Sequence, residues 1–210
     1  MPKIHEIAQG DLDWLTLRVG RVTASDFDRI VTPEFKARDG ATPYTYLCEK
    51  IAEAYKGKPM AGISTWETEQ GQLLEDEARG WYAMEHDDVK IRNVGFVEHD
   101  NGRCGCSPDA LLGEDGGLEI KCPQPTNHVR YLLDGILPKD YAPQVHFSIY
   151  VTGAKWWRFV SYHRGYPAFV LRVDRDETIM SKIDAALAAF YIRYDSAMEK
   201  LIACVNHPIR

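Results

Sequence analysis

The sequence SPDALLGEDGGLEIKC, residues 107–122, carries the main structural signal of this chain. Two apolar segments flank a glycine-rich turn, a composition that joins antiparallel strands. Alternate residues of a strand share a face, so Glu119 and Lys121 are expected to project together while Ile120 points away. A hairpin with an odd-length turn places Asp109 opposite that pair. Two carboxylates and an ammonium group are therefore expected at one end of a sheet.

The chemistry of this arrangement suits a divalent cation. Mg²⁺ binds few protein carboxylates and keeps its other positions for water and phosphate, so Asp109 and Glu119 could hold it. Lys121 beside the ion could orient or deprotonate a water, or offset charge on a phosphoryl group. The acid-x-Lys tripeptide is weak by itself, because it also occurs at residues 34–36 and 88–90. A surface ion pair on a strand would give the same letters, so the residues alone leave both interpretations open.

The segments around the hairpin predict an α/β fold with a central mixed β-sheet flanked by helices. Helical spacing of apolar residues marks the helices, and shorter apolar runs bounded by turn residues mark the strands. The predicted helices cover residues 11–18, 43–56, 65–85, 126–133, 140–151 and 176–203, with a further short helix at 23–27; the strands cover 89–98, 103–112, 118–122, 156–162 and 168–173. The first three strands are expected to form a meander. No repeat or linker interrupts the chain, so residues 1–210 are predicted to form a single domain.

Composition and charge restrict the class of protein. At 210 residues, 45% hydrophobic and 27% charged, the chain resembles ordinary globular proteins, and no apolar run is long enough to span a membrane. No apolar signal region follows Met1, so a cytoplasmic location is expected. The net charge of −6 excludes a generic basic coat for nucleic acid. Residues 61–120 hold fourteen acidic and four basic residues, which either a solvated acidic face or a metal-binding cluster would explain.

One further carboxylate is a candidate ligand. Glu75 and Arg79 are four apart on a predicted helix, the spacing of an ordinary surface ion pair. Glu75 also lies four residues after Gly71, whose missing side chain permits close backbone approach. Glu75 could therefore face inward as a metal ligand, although the surface pair is the simpler interpretation. Three tryptophans are assigned to the core or a subunit interface rather than to DNA contact: Trp66, Trp156 and Trp157.

Four ordered blocks resemble the phage lambda exonuclease and YqaJ-like viral recombinase family, a branch of the PD-(D/E)xK nucleases. They are residues 9–25 (QGDLDWLTLRVGRVTAS), 71–79, 106–123 and 141–153. Later segments also fit, so the resemblance covers about residues 6–200 and implies a restriction-endonuclease-like core. One departure is Ala110, where the family usually has glycine after the aspartate.

The resemblance implies roles for individual residues. The family's metal ligands and catalytic lysine fall on the hairpin and the long helix: Asp109, Glu119, the backbone carbonyl of Ile120, Glu75 and Lys121. Its supporting positions and its 5′-phosphate or DNA-binding positions fall elsewhere: Gln144, Tyr141, Arg18, Ser25 and Ser107. The implied cofactor is Mg²⁺, as two ions, with Mn²⁺ as a possible substitute. From the residues alone, Arg18 is an ordinary helix-end cation and Ser25 an N-cap.

The resemblance also implies the activity: a Mg²⁺-dependent 5′-to-3′ exonuclease that digests one strand of double-stranded DNA to mononucleotides and leaves 3′ overhangs. The implied partners are DNA ends, a homotrimeric ring and a single-strand annealing protein, in a bacterial cell with a phage or prophage as source. A restriction-like or RecB/Cas4-type repair nuclease is an alternative that uses the same core. Its iron–sulfur version is disfavoured, because only Cys48 precedes the core and Cys204 follows at the far end. A non-catalytic DNA-end-binding protein would not need Asp109, Glu119 and Lys121 together.

Overall fold

The computed structural model describes residues 1–60, 66–87 and 89–206, and for residues 66–72 the backbone alone. The helices are α1 Leu12–Arg18, α2 Ala41–Lys56, α3 Trp66–Glu85, α4 Pro125–Asp134, α5 Ala142–Thr152 and α6 Glu177–Asn206, with a 3-10 helix at Ala24–Arg29. The strands are β1 Lys3–His5, β2 Val22–Thr23, β3 Ile91–Arg92, β4 Phe96–Glu98, β5 Cys104–Cys106, β6 Ala110–Leu112, β7 Gly116–Lys121, β8 Trp156–Ser161 and β9 Phe169–Asp174. No described helix combines the length and apolar character needed to cross a bilayer.

Helix ends follow from local chemistry. The Asp11 side chain accepts the N–H of Trp14 at 2.7 Å and caps α1. Gly57, Gly135 and Gly153 end α2, α4 and α5 in the left-handed conformation, which glycine adopts without steric cost. The α-helix predictions are confirmed to within three residues at each described end. Residue 65, where the third helix was expected to begin, lies outside the described residues.

Two sheets, rather than one, lie between the helices. The strand orders are β1-β4-β5-β2 and β3-β6-β7-β8-β9, and each sheet mixes parallel and antiparallel pairs. The mixed α/β class is confirmed, and so is the antiparallel order of the predicted meander, because β3 pairs with β6, β4 with β5 and β6 with β7. The prediction of continuous strands is wrong, because residues 89–98 and 103–112 each break into two strands of different sheets. Pro108 explains the second break, since proline has no N–H to donate to a strand ladder.

The two faces of β7 pack against different layers. Leu118 and Ile120 pack in a cluster with Ala78 and Tyr82 of α3. The main core lies on the other side and includes Phe27, Phe147, Trp157, Phe159 and Ile183. Each fully buried side chain of this size contributes about 1.5–3 kcal/mol, so β7 is held firmly between the two layers. Ile120 therefore faces away from Glu119 and Lys121, as predicted.

The three tryptophans have different environments. Trp157 is fully buried, as predicted for a core residue. Trp156 is half-buried, with the guanidinium carbons of Arg158 and Arg172 at 5.6 and 4.7 Å from its ring centroid. The side chain of Trp66 lies outside the described residues.

Candidate active site

Strand pairing in the β6–β7 hairpin brings Asp109 beside Glu119. Ala110 pairs with Leu118, and the Asp109 N–H donates to the Leu118 carbonyl at 3.1 Å. The Asp109 carboxylate then accepts the N–H of Ile120 at 2.5 Å. This side-chain bond fixes the carboxylate at the point where the backbone ladder stops. The geometry is the one that the spacing of the hairpin predicts.

Glu119 has one satisfied and one unsatisfied carboxylate oxygen. The residue is 3% exposed, and Lys121 Nζ and Gln144 Nε2 lie 2.6 and 2.5 Å from its Oε1. Its Oε2 is buried and has no hydrogen-bond partner among the described residues. The Tyr141 ring lies beside the same ammonium group, with its centroid 5.5 Å from Lys121 Nζ. The structure therefore brings Gln144 and Tyr141, on and before α5, to the hairpin residues.

Burial and like charge raise the pKa of the carboxyl groups here. Burial, together with Asp109 and Glu75, raises the pKa of Glu119 to about 7 in spite of the lysine beside it. Burial also raises the pKa of Asp109, and burial with the Asp109 charge raises the pKa of Glu75. Burial alone would lower the pKa of Lys121, but the Glu119 and Asp109 charges outweigh it and raise that pKa. The cluster is therefore short of positive charge.

The donors present fit a divalent cation held by two carboxylates. Mg²⁺ is usually bound by one or two carboxylates and retains water in its other positions, and the free Oε2 of Glu119 is a suitable oxygen. Among the described residues, no three His, Cys, Asp or Glu side chains converge closely enough to hold a metal ion. Glu75 is half-buried and lines the same cavity as Asp109. Ligation by Glu75 or by the Ile120 carbonyl stays a prediction.

Arg79 does not form the surface ion pair that its spacing from Glu75 predicts. Its Nη2 instead lies 3.6 Å from Oδ1 of Asp109. The interpretation of Glu75 and Arg79 as an ordinary exposed pair is therefore wrong. Both residues line a cavity of about 700 Å³ that also reaches Asp109.

A group of side chains, called the Arg18 pocket, surrounds Arg18 at the end of α1 and consists of Ser25, Ser107 and Trp14. The guanidinium donates to Ser25 Oγ at 3.1 Å and to Ser107 Oγ at 3.4 Å, and it stacks 4.3 Å from the centroid of the Trp14 ring. Burial lowers the pKa of Arg18, but an arginine of this kind stays protonated. The 3-10 helix begins after Thr23, so Ser25 lies inside it and the N-cap interpretation is wrong. The structure thus brings together three of the four residues predicted for the 5′-phosphate or DNA, whereas the fourth, Tyr141, lies beside Lys121.

Sequence reasoning gave no role to Trp14 or Gln9. Trp14 Nε1 donates to Ser107 Oγ at 2.8 Å, so this oxygen accepts from both Trp14 and Arg18. Gln9 Nε2 donates to the carbonyls of Val94 and Pro108 at 3.2 and 2.9 Å, which ties the start of the chain to the residue before Asp109. The i, i+4 spacing of Trp14 and Arg18 was the available signal for the stacked pair. No local signal identifies the partners of Gln9.

Comparison with known proteins places this fold in the class of lambda-exonuclease-like nucleases. Residues 13–155 match the YqaJ-like viral recombinase domain, and the chain belongs to this family, as the ordered blocks predicted. A crystal structure of LHK-Exo in complex with dAMP is 29% identical with a TM-score of 0.82, covering 92% of this chain and 97% of that one. Another, of LHK-Exo as an alkaline exonuclease from Laribacter hongkongensis, is 28% identical with a TM-score of 0.81 at the same coverage.

A more distant structure shares the fold alone. The phage-related exonuclease from Haemophilus somnus 129PT is 14% identical with a TM-score of 0.66, over 86% of this chain and 96% of that one. No curated protein sequence matches the chain.

Proposed function

We propose that this chain, as a single nuclease domain, is a Mg²⁺-dependent 5′-to-3′ exonuclease for double-stranded DNA in phage-type single-strand-annealing recombination. The chain is a DNA exonuclease and therefore hydrolyses phosphodiester bonds. The proposed product is a mononucleotide, with a 3′ overhang left on the duplex. The single observation that carries the proposal is that Ser107, which Arg18 contacts, lies only two positions before Asp109 of the hairpin.

One residue, Pro108, separates Ser107 of the pocket from Asp109 of the hairpin, so the two are two positions apart. An extended chain covers at most about 7 Å in two residues, which is comparable to the spacing of successive phosphates in one DNA strand. A terminal 5′-phosphate at Arg18 would therefore place the next phosphate near Asp109 and Glu119. Cleavage there releases one nucleotide. LHK-Exo, the similar nuclease, has been crystallised with dAMP, a mononucleotide.

The residues of the hairpin have separate roles in this proposal. Mg²⁺ bound at Asp109 and Glu119 would supply an activated water and offset charge on the phosphoryl oxygens, with a second ion or Mn²⁺ as variants of the same chemistry. Gln144 fixes the orientation of the Glu119 carboxylate by its bond to Oε1. Lys121, held charged between carboxylates, is positioned to orient the water and stabilise the transition state. Glu75 and the Ile120 carbonyl are proposed as additional ligands.

The Arg18 pocket supplies end selection. A guanidinium with two hydroxyls forms charge-assisted hydrogen bonds to a terminal phosphate. An internal phosphodiester has no free end and could not take the place of the terminal phosphate in the pocket. The proposed partners are DNA ends, a homotrimeric ring of this chain and a single-strand annealing protein, in a bacterial cytoplasm. The Arg18 pocket and the hairpin carboxylates act on the same DNA strand, so one catalytic site per subunit is sufficient.

Linear duplex DNA, labelled on either the 5′ or the 3′ end of one strand, tests the proposal in Mg²⁺. The expected result is early release of the 5′ label as mononucleotide, retention of the 3′ label on a shortened strand, and no cutting of covalently closed circles. Asp109→Asn and Lys121→Met should each abolish digestion while the thermal midpoint of unfolding is retained. Arg18→Ala should remove the preference for phosphorylated over hydroxyl 5′ ends.

Asp115→Asn is the matched control, because Asp115 lies in the same hairpin but pairs with Lys155 at 2.8 Å and should not affect cleavage. Cutting of closed circles would instead support the restriction-like alternative. Binding of ends without release of nucleotide would support the non-catalytic one.

A further inference from the structure

Arg79 of α3 has hydrogen-bond donors that the roles above do not use. The distance of 3.6 Å between its Nη2 and Asp109 Oδ1 exceeds the length of about 2.8 Å typical of a charge-assisted hydrogen bond. Its Nε is buried and has no acceptor among the described residues. A guanidinium carries its donors in a fixed plane and stays charged when buried. Arg79 therefore holds unused donors beside the catalytic carboxylates.

The charge around Arg79 indicates what those donors would bind. The cavity of about 700 Å³ next to Asp109 has four acidic residues among its described lining, and Arg79 is the one basic residue of that lining. The acidic residues are Glu6, Glu75, Asp76 and Asp109. A DNA strand brings one negative charge with every nucleotide and is repelled by such a lining. Glu6 is paired with Arg92, but the other three carboxylates leave an acidic excess, which bound cations and the guanidinium of Arg79 would offset for an entering phosphate.

We propose that Arg79 binds the phosphate that is cleaved. In the DNA-free protein the guanidinium lies against Asp109, and it donates from Nε and a terminal nitrogen to the phosphate oxygens when the strand enters. This inference rests on the proposed function, because it places the phosphate beside Asp109 and Glu119. The planar guanidinium matches two phosphate oxygens, and donors fixed in place where charge develops increase kcat. The competing role is that of a tether which only holds α3 to the hairpin.

A thermodynamic cycle distinguishes contact from tether. Wild type and Arg79→Gln are tested for binding to 5′-phosphorylated duplex ends with Ca²⁺ in place of Mg²⁺. One DNA carries an ordinary first linkage in the 5′ strand, and the other carries a single uncharged methylphosphonate there. If Arg79 contacts this phosphate, removing its charge weakens binding to wild type by about tenfold more than binding to Arg79→Gln. Equal factors for the two proteins would assign Arg79 to the tether and overturn the proposal.

Steady-state digestion in Mg²⁺ gives a second readout. Arg79→Gln should lower kcat by about 100-fold, as loss of a transition-state donor does, while the preference for 5′-phosphorylated ends persists. Arg79→Lys keeps the charge without the planar fork and should lose about tenfold. An unchanged kcat in Arg79→Gln would refute the inference.

Arg164→Gln is the matched control. Arg164 pairs with Glu77, which lies on α3 like Arg79, but Arg164 is not among the residues that line the cavity. Its kcat should equal that of wild type. If wild type itself releases no nucleotide, the proposed function fails, and the binding cycle still decides whether Arg79 contacts the phosphate.

Discussion

At the scale of single residues, Glu119 shows how a buried acid can be prepared for a cation. Its Oε1 accepts from Lys121 and Gln144, whereas its Oε2 is buried with no partner in the described part of the chain. Burial and the nearby carboxylates raise its pKa to about 7. A proton and a cation therefore compete for the same oxygens close to neutral pH.

The raised pKa predicts that Mg²⁺ stabilises the protein more at alkaline than at acidic pH. In the cation-free fold, the pKa of Glu119 lies above the ordinary value of 4.5. The contribution of Glu119 protonation to the stability of the fold is therefore fully present below pH 4.5 and is lost as the pH rises through about 7. Mg²⁺ replaces the lost proton, so it should raise the thermal midpoint more at about pH 8 than at about pH 6.

Thermal unfolding in saturating Mg²⁺ and in EDTA at both pH values measures this difference. Glu119→Gln should abolish the pH dependence of the Mg²⁺ effect, and Asp115→Asn should keep it. The same Mg²⁺-induced shift at both pH values in wild type would contradict the assignment.

The sequence spacing predicted that the hairpin carboxylates lie together, but it did not predict the contacts of the Arg18 pocket. Asp109 and Glu119 are ten residues apart, and the turn between them fixes their register. Arg18 and Ser107 are 89 residues apart, and their contact depends on how α1 packs near β5. Only the family resemblance linked them. The donors of Arg79 were hidden for a similar reason, since its partner lies on another element.

At the scale of elements, the break between β5 and β6 separates what sequence could predict from what it could not. Apolar patterning marked the whole run 103–112 as strand, and each half is indeed a strand. The choice of sheet is made by long-range pairing, because β5 pairs in parallel with β2, which precedes it by some eighty residues. Strands of three residues carry too little pattern to indicate their partners. The break matters for the site, since the backbone ladder of β6 and β7 ends at Asp109 and the Asp109 carboxylate accepts the next N–H, that of Ile120.

Two glycines of the elements around the site predict opposite effects of alanine. A Cβ on Gly117 of β7 would lie 2.2 Å from ring atoms of Trp157, a fully buried side chain of β8. Gly117→Ala should therefore destabilise the protein by about 1–3 kcal/mol through overpacking. A Cβ on Gly80 of α3 would meet no described atom within 4 Å, so Gly80→Ala should stabilise the protein by about 0.5–1 kcal/mol.

Urea unfolding of both variants and wild type checks the ranking. Each variant serves as the control of the other, because both change glycine to alanine in an element that carries the site. A Gly117→Ala protein as stable as wild type would mean that the β7–β8 packing is looser than the close approach of Trp157 indicates.

At the scale of the whole molecule, the charge distribution restricts how DNA can be held. The net charge is −6, and many surface arginines are already paired with carboxylates. Such pairs include Arg92 with Glu6, Arg103 with Asp195 and Arg172 with Asp174. Binding by release of counterions needs an excess of cations along the DNA backbone, whereas the chain has 25 Lys and Arg against 31 Asp and Glu. Retention of a long duplex by one subunit through its surface charge is therefore disfavoured.

The proposed ring predicts that processive digestion depends on assembly rather than on the surface of one subunit. Sedimentation at micromolar concentration should give a species of three times 23.9 kDa. With a trap of excess unlabelled DNA, this species should continue to digest a labelled duplex after the trap is added, because a closed ring cannot release it sideways. Dilution below the dissociation range should abolish trap-resistant digestion, while single cleavage events at DNA ends persist because the Arg18 pocket and the carboxylates lie in one chain. A 23.9 kDa monomer that still resists the trap would show that a single subunit retains DNA, contrary to its charge.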